Sequence, residues 1–225
     1  WNKFNYIIFN KAQYIFSISD EISDSLKIYF NSEDKFKRKV ISAPIWIPGD
    51  LIKPIPPKDN YFRSKFNISK DKFLIVYSGN IGLTHPLDYF IKILPLLDRK
   101  FLFLFVAHRA QRRELEYMAL QNNSLGKSVY FMDPLSLEEL PFLISAADLS
   151  IVAISKYAAL NSFPSKTLTS IACGTPVIAI SPIKSTLSRF LNKNKCGFSV
   201  SENQFTKENL KTKLCELLIN QKLLN

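Results

Sequence analysis

The 225-residue chain is 47% hydrophobic and carries a formal net charge of +11. This apolar content is sufficient for a full core and excludes a globally disordered chain. No apolar run approaches the roughly 20 residues that a membrane-spanning helix needs, and the first residues lack the pattern of a secretory signal. The basic residues are scattered and no nucleic-acid-binding motif is present, so nucleic acid is not expected as a partner.

The first sixty residues predict the end of one domain and a linker to a second. Segments 14–18 and 39–45 are predicted as strands, and 21–30 has the spacing of a helix. Four prolines and one glycine between residues 47 and 57 predict a stiff linker. The predicted units are residues 1–46, the linker 47–59 and a domain over 60–225.

After the linker, apolar runs and helical patterns alternate some six times. The predicted strands are 73–77, 101–107, 128–131, 149–154, 177–180 and 197–200. The predicted helices are 60–67, 85–97, 111–120, 136–147, 164–173, 185–191 and 206–224. Because the strands are continuous apolar runs, they predict a parallel sheet that is covered on both faces. The predicted fold class is therefore α/β, a doubly wound Rossmann-like parallel sheet.

The stretch Ser162–Ile180 is the most informative part of the chain. Pro164 and Ser165 are typical of a helix start, and Gly174 is typical of a helix end that requires a left-handed residue. Lys166 lies in the first turn of this helix, where unpaired N–H groups and a positive partial charge favour a phosphate. The alternative is that Lys166 is an exposed helical lysine without a ligand.

Ligands of such a sheet bind beyond the carboxyl ends of its strands, so the residues that follow each strand were compared. The first strand is followed by Ser78–Gly82, where two glycines permit a close approach of the backbone and expose N–H groups. The second is followed by Arg109, which could make a forked contact with a diphosphate. The third is followed by Met132, Asp133 and Pro134, which could border a base. A nucleotide diphosphate would suit all of these groups together, although a tight turn and a solvated arginine remain the alternatives.

Other common sites are not indicated. The chain contains neither the dinucleotide-binding glycine motif nor the P-loop motif, and no pattern of a nucleophilic triad stands out. Its three cysteines and two histidines lack metal-ligand spacing, so neither a metal nor a cofactor is predicted.

Three segments, 77–91, 129–152 and 162–180, resemble the C-terminal, nucleotide-sugar-binding half of glycosyltransferase family 4. The P-S-K helix followed by A-C-G-T-P-V-I-A is the best of these motifs. The family has the GT-B fold, in which two Rossmann-like domains face each other across the active site. Residues 10–46 resemble the end of the N-terminal acceptor domain. Since the chain begins at Trp1, we expect the rest of that domain to precede it.

The resemblance implies a retaining, hexosyltransferase-type transfer of a sugar from a nucleotide donor, with UDP the expected nucleotide. The acceptor would be a glycan or lipid-linked, as in the assembly of bacterial surface polysaccharides. This fragment alone is expected to be inactive. The resemblance implies a cytoplasmic location. Peripheral contact with the inner face of the cell membrane is an alternative, because the excess of basic residues could contact anionic lipid.

The same resemblance, together with the strand-end residues, assigns the candidate site. Lys166 and Arg109 are the predicted catalytic residues, since both would stabilise the leaving diphosphate. The predicted donor-binding residues are Ser78, Gly79, Asn80, Gly82, His85, Asp133, Pro134, Leu135, Asn161, Pro164, Ser165 and Thr169.

The sequence departs from the family pattern at four of these positions. The family often has an arginine and a lysine where Asn80 and His85 stand, and two glutamates where Asn161 and Thr169 stand. Thr169 could give the donor ribose one hydrogen bond but not a charge-assisted pair. Two alternatives therefore remain open: a nucleotide-sugar-binding module without chemistry, and another GT-B enzyme such as a nucleotide-sugar epimerase.

Overall fold

The computed structural model describes residues 2–43, 45–82, 86–93, 97, 100–159, 162–204, 206, 208–210 and 212. The helices are α1 (Asn2–Lys11), α2 (Asp20–Ser25), α3 (Glu33–Lys39), α4 (Phe62–Lys65), α5 (Asp88–Ile93), α6 (Arg109–Gln121), α7 (Leu140–Ala146), α8 (Lys166–Ala172) and α9 (Thr186–Asn194). The strands are β1 (Ile15–Ser17), β2 (Val40–Ser42), β3 (Phe73–Ser78), β4 (Phe101–Val106), β5 (Val129–Met132), β6 (Leu149–Ala153), β7 (Val177–Ile180) and β8 (Gly197–Val200).

Six strands form one parallel sheet in the order β5-β4-β3-β6-β7-β8. Every adjacent pair is parallel, and β3 lies between β4 and β6. The first half of the domain extends from β3 towards one edge and the second half extends from β6 towards the other. The order therefore reverses between β3 and β6, which is the switch point where doubly wound sheets bind ligands. The predicted α/β fold class is confirmed.

Both faces of the sheet are covered, as the continuous apolar runs predict. Phe103 and Phe105 point into a core with α5 and α6, while Leu74 and Val76 point into a second core with α4 and α7. Because neighbouring residues of a strand face opposite sides, strands buried on both faces require apolar side chains at successive positions.

Helix α8 ends as its sequence predicts. Gly174 has φ +78°, a conformation that costs a residue with a side chain about 1–2 kcal/mol. The amides of Gly174 and Thr175 bond to the carbonyls of Ile171 and Ser170, each at 2.9 Å, which is the Schellman pattern. This ending turns the chain directly into β7 and sets α8 against β6 and β7.

The N-terminal segment forms a separate two-stranded parallel sheet in which β1 pairs with β2. Helices α1 and α3 of this segment are not predicted from the sequence, because neither presents a clear apolar face: α1 buries no residue and α3 buries only Phe36. The predicted helix 21–30 is divided into α2 and a 3₁₀ turn at Lys27–Tyr29. The proposed domain boundaries stay a prediction.

The two strands at the switch point are joined at their amino ends by an ion pair. Arg63 lies on α4 and donates to Asp148 Oδ2 at 2.6 Å, and it also donates to the carbonyls of Ala146 and Lys72, each at 2.9 Å. Asp148 Oδ2 in turn accepts from the amide of Leu74 at 2.7 Å. The start of β3 and the start of β6 are thereby held in register.

Most of the predicted final helix, 206–224, lies outside the described residues, as do residues 85 and 94–96 of the predicted helix 85–97. None of the helices in the described ranges is long and apolar enough to cross a bilayer.

Candidate functional site

A cleft of about 480 Å³ opens beyond the carboxyl ends of β3 and β6, at the switch point. Seven of the predicted site residues line it: Ser78, Gly79, Asn80, Pro164, Ser165, Lys166 and Thr169. They come from two segments about 85 residues apart in sequence, which the sheet order brings to one place. The location matches the rule that ligands of such sheets bind where the strand order reverses.

Lys166 is the only charged side chain among the described residues that line the cleft. It is the first residue of α8, and Ser170, one turn later, donates to its backbone carbonyl at 2.9 Å. No carboxylate of the described chain forms an ion pair with Lys166. The cleft therefore presents one positive charge without an internal counter-charge.

The Lys166 ammonium group is held by Tyr77, the penultimate residue of β3. Its Nζ donates to Tyr77 Oη at 2.8 Å and lies 4.0 Å from the centre of the tyrosine ring. Tyr77 is fully buried, and its hydroxyl donates to the carbonyl of Asn80 at 2.5 Å. One side chain thus contacts both the cation and the turn that follows β3.

Burial changes the acid–base properties of this pair. Desolvation lowers the pKa of Lys166 from 10.5 to about 8, because the charged form loses water without gaining an anion. Desolvation also raises the pKa of Tyr77, so its hydroxyl stays protonated and able to donate. An entering anion would replace the missing counter-charge of Lys166.

The turn after β3 leaves room for the lysine. Gly79 has φ +128°, and a Cβ at this position would lie 3.2 Å from Lys166 Nζ. We expected the turn to expose amide N–H groups, but the Gly79 amide bonds to the Val106 carbonyl at 2.9 Å and the Ile81 amide to Gln111 Oε1 at 3.3 Å. Of residues 79–81, only Asn80 keeps an amide without a described partner.

The family is decided by sequence comparison. The family model described as "Glycosyl transferases group 1" matches residues 59–225. The chain belongs to this family.

Relatives and solved structures agree with this assignment. WcaI of Escherichia coli (strain K12), named as a colanic acid biosynthesis glycosyl transferase, is 30% identical over 137 residues, which are 60% of this chain and 33% of WcaI. Anabaena HepE, solved in complex with UDP, superposes with a TM-score of 0.76 at 16% identity over 98% of this chain and 59% of that chain. WaaG, a glycosyltransferase involved in lipopolysaccharide biosynthesis, superposes with a TM-score of 0.71 at 22% identity, over 92% of this chain and 54% of the WaaG chain.

These matches confirm the predicted resemblance to GT-B glycosyltransferases, while membership of family 4 in particular stays a prediction. The chain spans a third of WcaI and just over half of the HepE and WaaG chains. The C-terminal domain of a group 1 glycosyl transferase from Francisella tularensis, LpcC, is covered to 90% of its length, with a TM-score of 0.60 and 18% identity.

Arg109, the other predicted catalytic residue, does not line the cleft. It is the first residue of α6 and its side chain is exposed. Arg112, one turn later, is buried instead, and it donates to the Ala107 carbonyl at 3.0 Å and to Glu116 at 2.6 Å. The sequence cannot distinguish the two arginines, because the rotation of the helix on the sheet decides which one points inward.

Other predicted donor-binding residues lie apart from the cleft or outside the described chain. Gly82, Asp133, Pro134 and Leu135 are described but do not line it. The Asp133 carboxylate lies 3.3 Å from Arg112 Nη1, so it borders the buried arginine. His85 and Asn161 lie outside the described residues, and the roles assigned to all six stay predictions.

Tyr77, which contacts Lys166 without lining the cleft, and several residues that line it were not predicted. Tyr77 ends a run that reads as core, and its position as the only hydroxyl-bearing side chain of 73–77 was the signal for it. Ser150, on β6, lines the cleft, and its buried hydroxyl has no hydrogen-bond partner among the described residues. Ile154, Ala158 and Phe163 contribute apolar walls.

A second cavity of about 690 Å³ lies between the N-terminal segment and helices α8 and α9. Phe163 lines both this cavity and the cleft of Lys166. Glu21 and Arg189 form an ion pair of 2.9 Å at its border, which ties α2 to α9. Within the described ranges, no cluster of three or more histidine, cysteine or acidic side chains is found, and the expectation of no metal stays a prediction.

Proposed function

We propose that this chain is the donor-binding half of a retaining glycosyltransferase that uses a UDP-linked sugar and a glycan or lipid-linked acceptor. The observation that carries the proposal is the desolvated Lys166 ammonium group at the switch-point cleft, which has no acidic partner among the described residues. A nucleoside diphosphate supplies the anion that this position lacks. The relatives support the choice of ligand, because HepE is described in complex with UDP and UDP-glucose.

The role of Lys166 follows from the chemistry of transfer. When the bond from the sugar to the diphosphate breaks, negative charge increases on the leaving group. A cation already held in place stabilises that charge without the cost of reorganising the site. Gly79 and Asn80 line the cleft around this contact, Tyr77 holds the ammonium group, and Thr169 is the candidate for the donor ribose.

We assign the binding of the acceptor to the N-terminal half of the enzyme. The second cavity, which shares Phe163 with the cleft, lies on the side of the N-terminal segment. An acceptor entering from this side would meet the donor near Phe163. The chain alone is therefore expected to bind the donor without transferring its sugar. Peripheral membrane contact stays part of this proposal and rests on the basic excess.

The proposal is tested by titrating the chain at pH 7 with UDP, GDP and ADP by calorimetry. We expect UDP to bind and Lys166→Ala to weaken its affinity by about tenfold to a hundredfold, the range for hydrogen bonds to charged groups. Lys127→Ala is the matched control, since Lys127 is an exposed lysine that bonds to Asn123. No binding of any of the three at millimolar concentration would overturn the proposal.

Turnover distinguishes the enzyme from the alternatives. A longer protein that carries this chain and the acceptor domain should consume a UDP-sugar only when an acceptor is present. Binding without transfer would support a nucleotide-sugar-binding module, and release of an epimerised sugar without acceptor would support an epimerase.

A further inference from the structure

Tyr77 makes one polar contact more than a buried tyrosine of β3 needs. A buried tyrosine hydroxyl is satisfied by one partner, and donation to the Asn80 carbonyl already supplies it. The second contact, from Lys166 Nζ at 2.8 Å, connects residues 89 positions apart. The pair therefore belongs to the cleft and not to the internal needs of the strand.

Without the contact to Tyr77, the Lys166 side chain could adopt many rotamers. A lysine side chain has four rotatable bonds and loses conformational entropy when it is fixed. Here the ring of Tyr77 lies under the ammonium group and the hydroxyl accepts from it, so the charge is placed beside Gly79 before any ligand arrives.

The same hydroxyl fixes the turn. Because it donates to the Asn80 carbonyl, it holds the peptide between Asn80 and Ile81, in the turn whose residues Gly79 and Asn80 line the cleft. The lysine and the turn at Asn80 are thus set relative to each other by one atom, Tyr77 Oη.

We propose that Tyr77 is a positioning residue for the transfer reaction, which holds the Lys166 ammonium group and the Asn80 turn in the geometry that receives the donor diphosphate. This inference rests on the proposed function. Tyr77 acts through Lys166 and needs no contact with the substrate.

Tyr77→Phe removes the hydroxyl and keeps the ring, so the packing of the ring against Phe105 is retained. Tyr130→Phe is the matched control, because the Tyr130 hydroxyl also donates to a backbone carbonyl, that of Gly126, at 2.8 Å and away from the cleft. Both variants and the unsubstituted chain are titrated with UDP from pH 7 to pH 9, and their thermal unfolding is recorded.

We expect Tyr77→Phe to weaken UDP affinity by about tenfold at pH 7. Its affinity should also begin to fall at a lower pH than in the unsubstituted chain, because the lost oxygen stabilised the charged form of Lys166. A merely structural role would not move the pH profile. Tyr130→Phe should match the unsubstituted chain in both measurements.

The outcomes separate the two proposals. If the unsubstituted chain binds UDP and Tyr77→Phe leaves both affinity and pH profile unchanged, the role of Tyr77 is wrong and the proposed function stands. If the unsubstituted chain binds no nucleotide, the proposed function fails and this inference fails with it. Should Tyr77→Phe not fold, p-aminophenylalanine in place of Tyr77 keeps a donor for Asn80 and weakens the acceptor for Lys166, and the same outcomes apply.

Discussion

A basic side chain lies at each end of the pairing between β3 and β6, Arg63 of α4 at the amino ends and Lys166 of α8 at the carboxyl ends, and the two have different partners. At the amino ends, Arg63 is surrounded by acceptors: the Asp148 carboxylate at 2.6 Å and several backbone carbonyls. At the carboxyl ends, Lys166 has the hydroxyl of Tyr77 and no carboxylate among the described residues. One charge is neutralised inside the fold, and the other has no counter-charge among the described residues and is the one that we propose for a ligand.

This difference distinguishes Arg63, a structural cation, from Lys166, the proposed functional one. A desolvated charge is costly unless it is paired, so the fold tolerates an unpaired one only where something else supplies the counter-charge or where stability is sacrificed. Arg63 makes β3 and β6 one unit. Lys166 lies at the opposite end of that unit, beside the carboxyl ends of the same two strands.

The largest effect should come from removing the anion that neutralises Arg63. Asp148→Ala leaves Arg63 without its anion and the Leu74 amide without an acceptor, and we expect the free energy of unfolding to fall by about 2–3 kcal/mol. This is less than for a fully buried pair, because the side chains of Arg63 and Asp148 are 22% and 29% exposed. Lys166→Met should not lower the unfolding free energy, because it removes an unpaired charge. Urea denaturation of both variants checks this, and an equal loss in the two would break the comparison.

The second effect concerns pH. The pKa of Lys166 is lowered from 10.5 to about 8, so below pH 8 the lysine is charged and UDP affinity should be at its maximum. Above pH 8 a proton must be taken up on binding, and the affinity should fall by up to about tenfold per pH unit. Between the two pKa values the unfolded chain binds more protons, so the contribution of Lys166 to stability rises with pH there.

Calorimetric titrations from pH 7 to pH 9 measure this profile. Lys166→Arg is the control, since arginine stays charged over the whole range and should give a flat curve. The same fall in both proteins would place the titrating group elsewhere.

A smaller effect is expected at Gly79, where the lysine meets the turn. Gly79→Ala places a Cβ 3.2 Å from Lys166 Nζ at φ +128°, and should weaken UDP binding by about threefold to tenfold. Gly126→Ala is matched, because Gly126 has φ +72° but no atom within 4 Å of its added Cβ. It should lower stability without changing affinity, as measured by thermal unfolding and calorimetry.

The smallest effect should be that of Arg109→Ala. Because Arg109 is exposed and does not line the cleft, UDP affinity should change by less than about twofold. A loss of tenfold or more in calorimetry would restore the sequence-based role of this arginine and show that two cations meet the diphosphate.

Much of the fold follows from local patterns. The predicted strands 177–180 and 197–200 coincide with β7 and β8. The end of α8 at Gly174 can be predicted from the sequence, because only a residue without Cβ adopts this left-handed conformation at low cost. Helices α1 and α3 escaped prediction because weakly buried helices carry little apolar periodicity.

The sequence by itself determined a doubly wound sheet and a helix that starts at Pro164 and Ser165 with Lys166 in its first turn. It also placed Gly79 and Asn80 at the end of a strand, near that helix. Those features depend on local spacing, which the chain displays directly.

Only the tertiary structure decided which polar side chain each basic residue contacts. Tyr77 and Lys166, and likewise Arg63 and Asp148, come together because the sheet order places β6 beside β3, and that order is set by packing across the whole domain. The rotation of α6 similarly buries Arg112 and exposes Arg109. Whether a basic side chain is neutralised or left for a ligand depends on partners far away in sequence, and no local pattern contains them.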